Sequence, residues 1–578
     1  MPRNLMFTPE AARGTGLLQF LVRLLATAIF GLAIPGLTAC GGSGGDNSAD
    51  PPLAPAPDPA PGPTNGPPAA ADDTASTARD ASVVVDVLAN DTDPDGNELQ
   101  LASVGAPADG TATARADGSV TYAPNAGFEG SDVFTYSVSD GEGGTDTANV
   151  AITVRPAPSD ALRGRIADAP EGSWLKVNVN RYEDVWTPTA QLAKVNGVPL
   201  GTPRKIIAAW SSMAWDSNRH QLIIWGGGHA NYAGNDVYRF DAADLRWHRA
   251  SLPSAVQAPF DDRRYFTADG AMNAPISAHT YDNQEFLPLI DRFITFGGAS
   301  YNTGAYFLLD DGVTKTGPYL WDPSRAGANA VGGTTGSQVD PDRFPEVTGG
   351  RMWMNRNAVT VNGSGDSRPD SFVNGTSAHA SEGGSESLLV SESPQSGGDL
   401  FRYRIADVDD PSLDGWELIG PGLRAYSGQG AGAYDPTHRV YLRTANIGTG
   451  YGFVMWNEST PGPTNAPIEF PPPDSAGQFA LSNLHGMDFD ARRTTFMLWA
   501  GDRRVWQLKP PASGAAFTAT GWTLVPAPVA DGEAPALTGT TGVLGKWKYL
   551  RSHDVMLGLG DGVEGQVWVY KPVGWQPP

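Results

Sequence analysis

Six times after residue 160 the chain runs through one order of side chains. An aromatic residue sits beside aspartate, and a turn follows. Then come an apolar stretch closing on glycine, an aromatic-rich stretch and a tryptophan. The clearest unit reads Ser212-Met-Ala-Trp-Asp216, Gln221-Leu-Ile-Ile-Trp-Gly-Gly-Gly228, Asp236-Val-Tyr-Arg-Phe-Asp241 and Trp247. A second reads Ala278-His-Thr-Tyr-Asp282, Arg292-Phe-Ile-Thr-Phe-Gly-Gly298, Ala305-Tyr-Phe-Leu-Leu-Asp310 and Trp321. Weaker units centre on Trp416, Tyr434-Asp435, Phe489-Asp490 and Trp547. Each predicts four short strands, too few to bury their own apolar faces. Only stacking one unit on the next closes such a core, so the repeat dictates the architecture of residues 160–578. Trp174-Leu-Lys-Val-Asn-Val179 and Val185-Trp186 supply either closure of the array or a seventh unit.

This pattern resembles Kelch repeats and the propeller of galactose-oxidase-like proteins. The resemblance implies a radial array with few free edges. The glycine doublet is clear in the first two units and degrades in Trp499-Ala-Gly-Asp502 and Leu557-Gly-Leu-Gly560. It also implies copper-radical chemistry, which in that family needs a cysteine joined to a tyrosine. The single cysteine of the chain is Cys40, far upstream, so that chemistry is excluded, as are thiolate metal sites and disulfides.

Cys40 has its own context. Arg3, Arg13 and Arg23 precede an apolar run, and Leu37-Thr-Ala-Cys40 ends it. That order is a secretory signal, and its ending resembles the lipobox of bacterial lipoproteins. The expectation is cleavage after residue 39, lipidation of Cys40, and an extracytoplasmic protein anchored to a bacterial membrane, the outer one foremost. Residues 40–71 are the anchor and a Gly/Pro-rich tether, flexible and then extended. Residues 72–155 alternate as short strands, among them Val133-Phe-Thr-Tyr-Ser-Val138 and Ala148-Asn-Val-Ala-Ile-Thr-Val154. They fit an immunoglobulin-like sandwich and, with Leu88-Ala-Asn-Asp-Thr-Asp-Pro-Asp-Gly96, look like the cadherin-like modules of bacterial surface proteins. Asp91, Asp93 and Asp95 set carboxylates at alternate positions, a set that suits Ca²⁺ or a solvated acidic turn. The fold class expected is all-β: this sandwich, then a six- or seven-bladed Kelch-type β-propeller at 160–578.

A net charge of −23 argues against nucleic acid as a partner. No zinc-protease helix, phosphate loop or nucleotide fingerprint is present. The candidates for chemistry lie where the second strand of a unit ends and the first strand of the next begins, which antiparallel pairing places on one rim. There stand His229, Tyr232, Asn235, His279 and His485, with Arg356, Arg424, Tyr426, Gln429 and Lys546. His220, His248, His438 and His553 fall in turns or outer strands and are expected to be solvated.

Three functions compete. The first is a polysaccharide lyase acting by β-elimination on uronic-acid glycans, by analogy with propeller lyases. It needs a base, an acid and a cation on the substrate carboxylate. His279 or His229 would be the base, Tyr232 the acid, and Arg356 or Arg424 the neutraliser, with Asn235, Gln429, His485 and Lys546 binding substrate. The second is a non-catalytic module that binds cell-surface glycan or protein. The third is a metal-dependent hydrolase using His229, His279 and His485. No cofactor is firmly implied for the propeller.

Overall fold

The computed structural model describes residues 65–577 apart from 80–81, 116–117, 156–159, 196, 230, 258–264, 302–305, 335–347, 358–368, 370, 382–384, 395–396, 423–427, 474–476, 512–516 and 538–540. Cys40 and the tether up to residue 64 therefore lie outside the described residues, as do Arg424 and Tyr426. No helix among the described residues is long and apolar enough to cross a membrane.

The first folded part is a two-sheet sandwich. Strands Asp73–Ala78, Thr145–Arg155, Gly130–Ser139 and Gln100–Val104 form one sheet, and Val83–Val85, Val120–Pro124 and Gly110–Ala114 the other. The alternation read from the sequence is what buries the core: Phe134, Tyr136 and Val138 point inward from one strand, Val150, Ile152 and Val154 from its neighbour. Asp132 shares that inward face, and Tyr122 satisfies it with a 2.8 Å hydrogen bond.

The rest is a β-propeller. Among the described residues, six sheets of four antiparallel strands repeat along the chain. The first strands are Ala214–Asp216, Gln284–Leu287, Thr376–His379, Gly432–Asp435, Gly486–Asp490 and Trp547–Leu550, and each packs on the next until the sixth meets the first. Blades are numbered one to six in that order. The alternative of a seventh blade is resolved by Trp174–Lys176, which pairs with Gln566–Tyr570 as the fourth strand of blade six. An early strand thus completes a blade whose other three strands come last in the chain.

The second blade departs from expectation. Residues 278–282 are the approach to its first strand rather than the strand, and 306–310 lie at an inserted hairpin, Phe307–Leu308 with Lys315–Thr316. Trp321 is on the third strand and Trp353–Asn355 makes the fourth. The cause is that Tyr281-Asp282 imitates the aromatic–Asp ending, while the true strand ends Phe286-Leu287. The glycine runs have a packing reason. A Cβ on Gly228 would lie 2.4 Å from Ala278 Cα, and one on Gly298 would lie 2.3 Å from the His279 carbonyl. Only glycine lets these loops run against the approach that carries His279.

Candidate functional site

A recess lies on the propeller axis. All six first strands contribute to a cavity of about 470 Å³. Counting back from the first turn of each blade, one position is aromatic in five of six: Trp215, Phe286, Tyr434, Phe489 and Tyr549, with Ala380 in blade three. The position before it holds Glu285, His379, Asp488 and Lys548 in blades two, three, five and six. Rings and ionisable groups therefore line the same space. Turn residues Ser217, Pro288, Ser381, Pro436 and Arg551 frame it, so it opens on the face of the first turns.

The floor is one charge cluster. Lys548 Nζ donates to Glu285 Oε1 at 2.9 Å and lies 3.5 Å from Asp282 Oδ1. Asp282 also accepts from the Gly432 amide at 2.8 Å, and Asp488 from the Tyr549 amide at 2.6 Å. Burial opposes the charge on Lys548, but Glu285, Asp282 and Asp488 outweigh it and hold its pKa above the ordinary lysine value. Burial pushes Asp282 up to about 7 and Asp488 up to about 6, against the pull of Lys548.

On the cavity wall, His379 Nε2 lies 2.7 Å from Glu386 Oε2 and 2.8 Å from Ser381 Oγ. Burial works against an imidazolium here, but Glu386 prevails and raises the His379 pKa. The trio is not a nucleophilic triad. Such a triad uses both ring nitrogens, one for the hydroxyl and one for the carboxylate, and here both partners meet Nε2.

The rim foreseen from the sequence is at the opposite end of the first strands, and it is only partly assembled. His229 and His279 do meet, with ring centroids 5.5 Å apart. His279 is buried, receives Asn231 at 3.0 Å and packs on Trp210; burial, then the charges of His229 and Lys205, push its pKa down to about 3. Tyr232 is no surface acid: its ring is in the core and its hydroxyl donates to Asp236 at 2.7 Å. Arg356 is no free neutraliser. Fully buried, it is clamped by two 2.8 Å bonds to Asp414 and by the Asp407 carbonyl at 2.6 Å. Asn235 is buried and spends its amide on Ser254 and Pro275. Lys546 is buried with Nζ 3.1 Å from the Ile207 carbonyl. His485 accepts from Ser482 and faces a separate recess of about 120 Å³ beside Phe479 and Trp506. It does not join His229 and His279 in a three-histidine set among the described residues. Gln429 is half-buried.

Glu285, Asp488, Lys548, His379 and Ser381 are not among the candidates expected from the sequence. A signal existed: Asp488 interrupts Met487-Asp-Phe489 and Lys548 interrupts Trp547-Lys-Tyr549, charges inside otherwise apolar strands.

In the sandwich, Asp91 Oδ1 accepts from the Ala71 amide at 2.8 Å and from Tyr136 at 2.9 Å. Asp93 Oδ1 accepts from the amides of Asp95 and Asn97, and Asp95 Oδ2 from that of Gly66 at 2.6 Å. The second oxygens of Asp91 and Asp93, with Asp73 Oδ2, are buried without a hydrogen-bond donor among the described residues.

Residues 65–153 match the family model described as bacterial Ig domain. This segment is a bacterial Ig domain. No curated protein matches the chain. An endo-fucoidan hydrolase of glycoside hydrolase family 107 is similar at 19% identity over 19% of this chain and 16% of that one, TM-score 0.14. The chain thus spans about a sixth of that enzyme. The WD40 domain of Toxoplasma gondii coronin is 10% identical over 73% of this chain and 91% of that one, TM-score 0.30. TolB from Acinetobacter baumannii is 12% identical over 74% and 80%, TM-score 0.26.

Proposed function

We propose that the propeller is the glycan-binding module of an extracytoplasmic lipoprotein, anchored through Cys40 and held off the membrane by the tether and the Ig domain. The axial cavity is the binding site. One observation carries this reading: five aromatic positions and four ionisable ones line a single recess. Aromatic faces stack on sugar rings while a few placed polar groups fix the hydroxyls. Glu285 and Asp488 face Lys548, His379 and Arg551 around the recess, so both signs of charge are at hand to fix hydroxyl, amino or carboxylate groups. Calcium at Asp91, Asp93 and Asp95 belongs to the same proposal, supported by the undonated carboxylate oxygens of Asp91 and Asp93.

A lyase reading retains one supporting observation, the adjoining His229 and His279. The three-histidine hydrolase has none. Calorimetric titration of the full chain against neutral, amino and uronic oligosaccharides separates the readings. Glycan binding at the cavity predicts that Trp215→Ala or Glu285→Gln weakens affinity about tenfold or more. Absence of binding across the panel, or affinity indifferent to both substitutions, would sink it. An ultraviolet signal from unsaturated uronate, lost in His279→Ala, would move the function to the opposite rim.

A further inference from the structure

Two junctions between blades are held by one repeated ion pair. The third residue after the end of a first strand reaches the residue that precedes the second strand of the next blade. Arg219 of blade one grips Asp291 of blade two through contacts of 2.7 and 2.6 Å. Arg493 of blade five grips Asp554 of blade six at 2.8 and 2.9 Å. At the closing junction, from blade six back to blade one, the equivalent residues are His553 and His220. A guanidinium and a carboxylate have been replaced there by two imidazoles. A carboxylate arrives from elsewhere: Asp160, at the start of the segment that leads to the closing strand.

We propose that Asp160, His220 and His553 bind a divalent first-row transition ion, zinc foremost, which clasps the ring shut. Their donor atoms lie within 4.8 Å of one another. Asp160 Oδ2 is 2.8 Å from His220 Nδ1 and 2.7 Å from His553 Nε2. The His553 side chain is completely buried, and its Nε2, although close to Asp160, is out of line for a hydrogen bond and has no other partner among the described residues. Two imidazoles and one carboxylate are ligands for zinc, cobalt or nickel rather than calcium.

The outer contacts fit the same role. His553 Nδ1 is 2.9 Å from Ser552 Oγ, which also receives Trp215 Nε1 at 3.2 Å. Asp160 Oδ1 is held by the Arg163 amide at 2.9 Å, leaving Oδ2 for the metal. Such fixed partners orient ligands before the ion arrives. The nearest competing cation is Arg163, with Nε 3.7 Å from Oδ2. Metal bonds of about 2.0–2.1 Å in a tetrahedron set ligand atoms roughly 3.3 Å apart, so Asp160 must open from both imidazoles by about half an ångström, and the two ring nitrogens, now within 4.8 Å of each other, must settle at that spacing too. The fourth position would be left to water. Ser552 and Trp215 also line the axial cavity, which places the clasp at its wall.

The test is a titration of the full chain, stripped with chelator, against Co²⁺ alone. The expected result is one equivalent bound with the visible bands of a tetrahedral ion, displaced by Zn²⁺, and a rise in Tm. His220→Gln and His553→Gln should each abolish the bands, with far-ultraviolet circular dichroism confirming the fold. Should either variant misfold, Asp160→Asn removes the charge while keeping an oxygen in place, and should weaken binding at least tenfold. No stoichiometric binding by the unaltered chain overturns the proposal, as does binding that survives these substitutions.

Discussion

Two lysines two residues apart on the sixth blade meet opposite fates. Lys548 lies among Glu285, Asp282 and Asp488 and keeps its charge. Lys546 is as deeply buried, with one carbonyl in reach, and burial pushes its pKa down to about 7. The unfolded chain holds that proton up to about 10.4, whereas the folded chain releases it near 7. The charge therefore costs stability in full below about pH 7, and the cost fades as pH rises toward 10. Each pKa unit is worth about 1.4 kcal/mol. Lys546→Met should stabilise the propeller at pH 6 by roughly 1–3 kcal/mol, because the Ile207 carbonyl keeps Ser211 as a donor. At pH 9 the gain should fall below half of that, and it should vanish only toward pH 10. Denaturant unfolding at both values checks this, and equal gains would show that the lysine carries no buried charge. The contrast also explains which site residues the sequence could reveal. Their place between repeat units singles out His229 and His279, but the value of a charge depends on what faces it across the axis. Lys548 and Asp282 are 266 positions apart, a separation no local pattern encodes.

At the scale of the strand, the aromatic–glycine pattern was legible because it is the packing rule itself. Second strands such as Gln221–Ile224 and Thr495–Trp499 are buried throughout, so they read as short apolar runs ended by glycine. Register failed where an insertion intervened: the hairpin at 307–316 carries aromatics that pass for a blade strand. The closing strand was recognised as a candidate and has a single strong anchor. Trp174 packs on Trp499, Trp547, Trp568 and Tyr570 with centroids 5.3 to 6.4 Å away, and its Nε1 donates to the Arg503 carbonyl at 2.9 Å. Trp174→Ala should cost about 3–5 kcal/mol in equilibrium unfolding. Val198→Ala, at a side chain 63% exposed, should stay within about 0.5 kcal/mol. A loss below about 1 kcal/mol for Trp174→Ala would mean that ring closure does not depend on this contact.

For the whole molecule, the Ig core is built from Val83 to Val154 and shares no side chain with the propeller cores, which begin at Leu162. Two cores without common residues unfold as two units, and calorimetry should resolve two transitions. The propeller cannot be cut as freely. Its last blade borrows its outer strand from residues 174–176, and Asp160 reaches the closing junction ahead of it. A chain beginning at residue 160 should therefore keep the propeller transition, since it removes only the other core. A chain beginning at residue 178 loses the fourth strand of blade six and the Trp174 cluster, and leaves Gln566–Tyr570 as an open edge. That shorter chain should lose cooperative unfolding or aggregate. Equal transitions in the two truncations would mean that the ring holds without its closing strand.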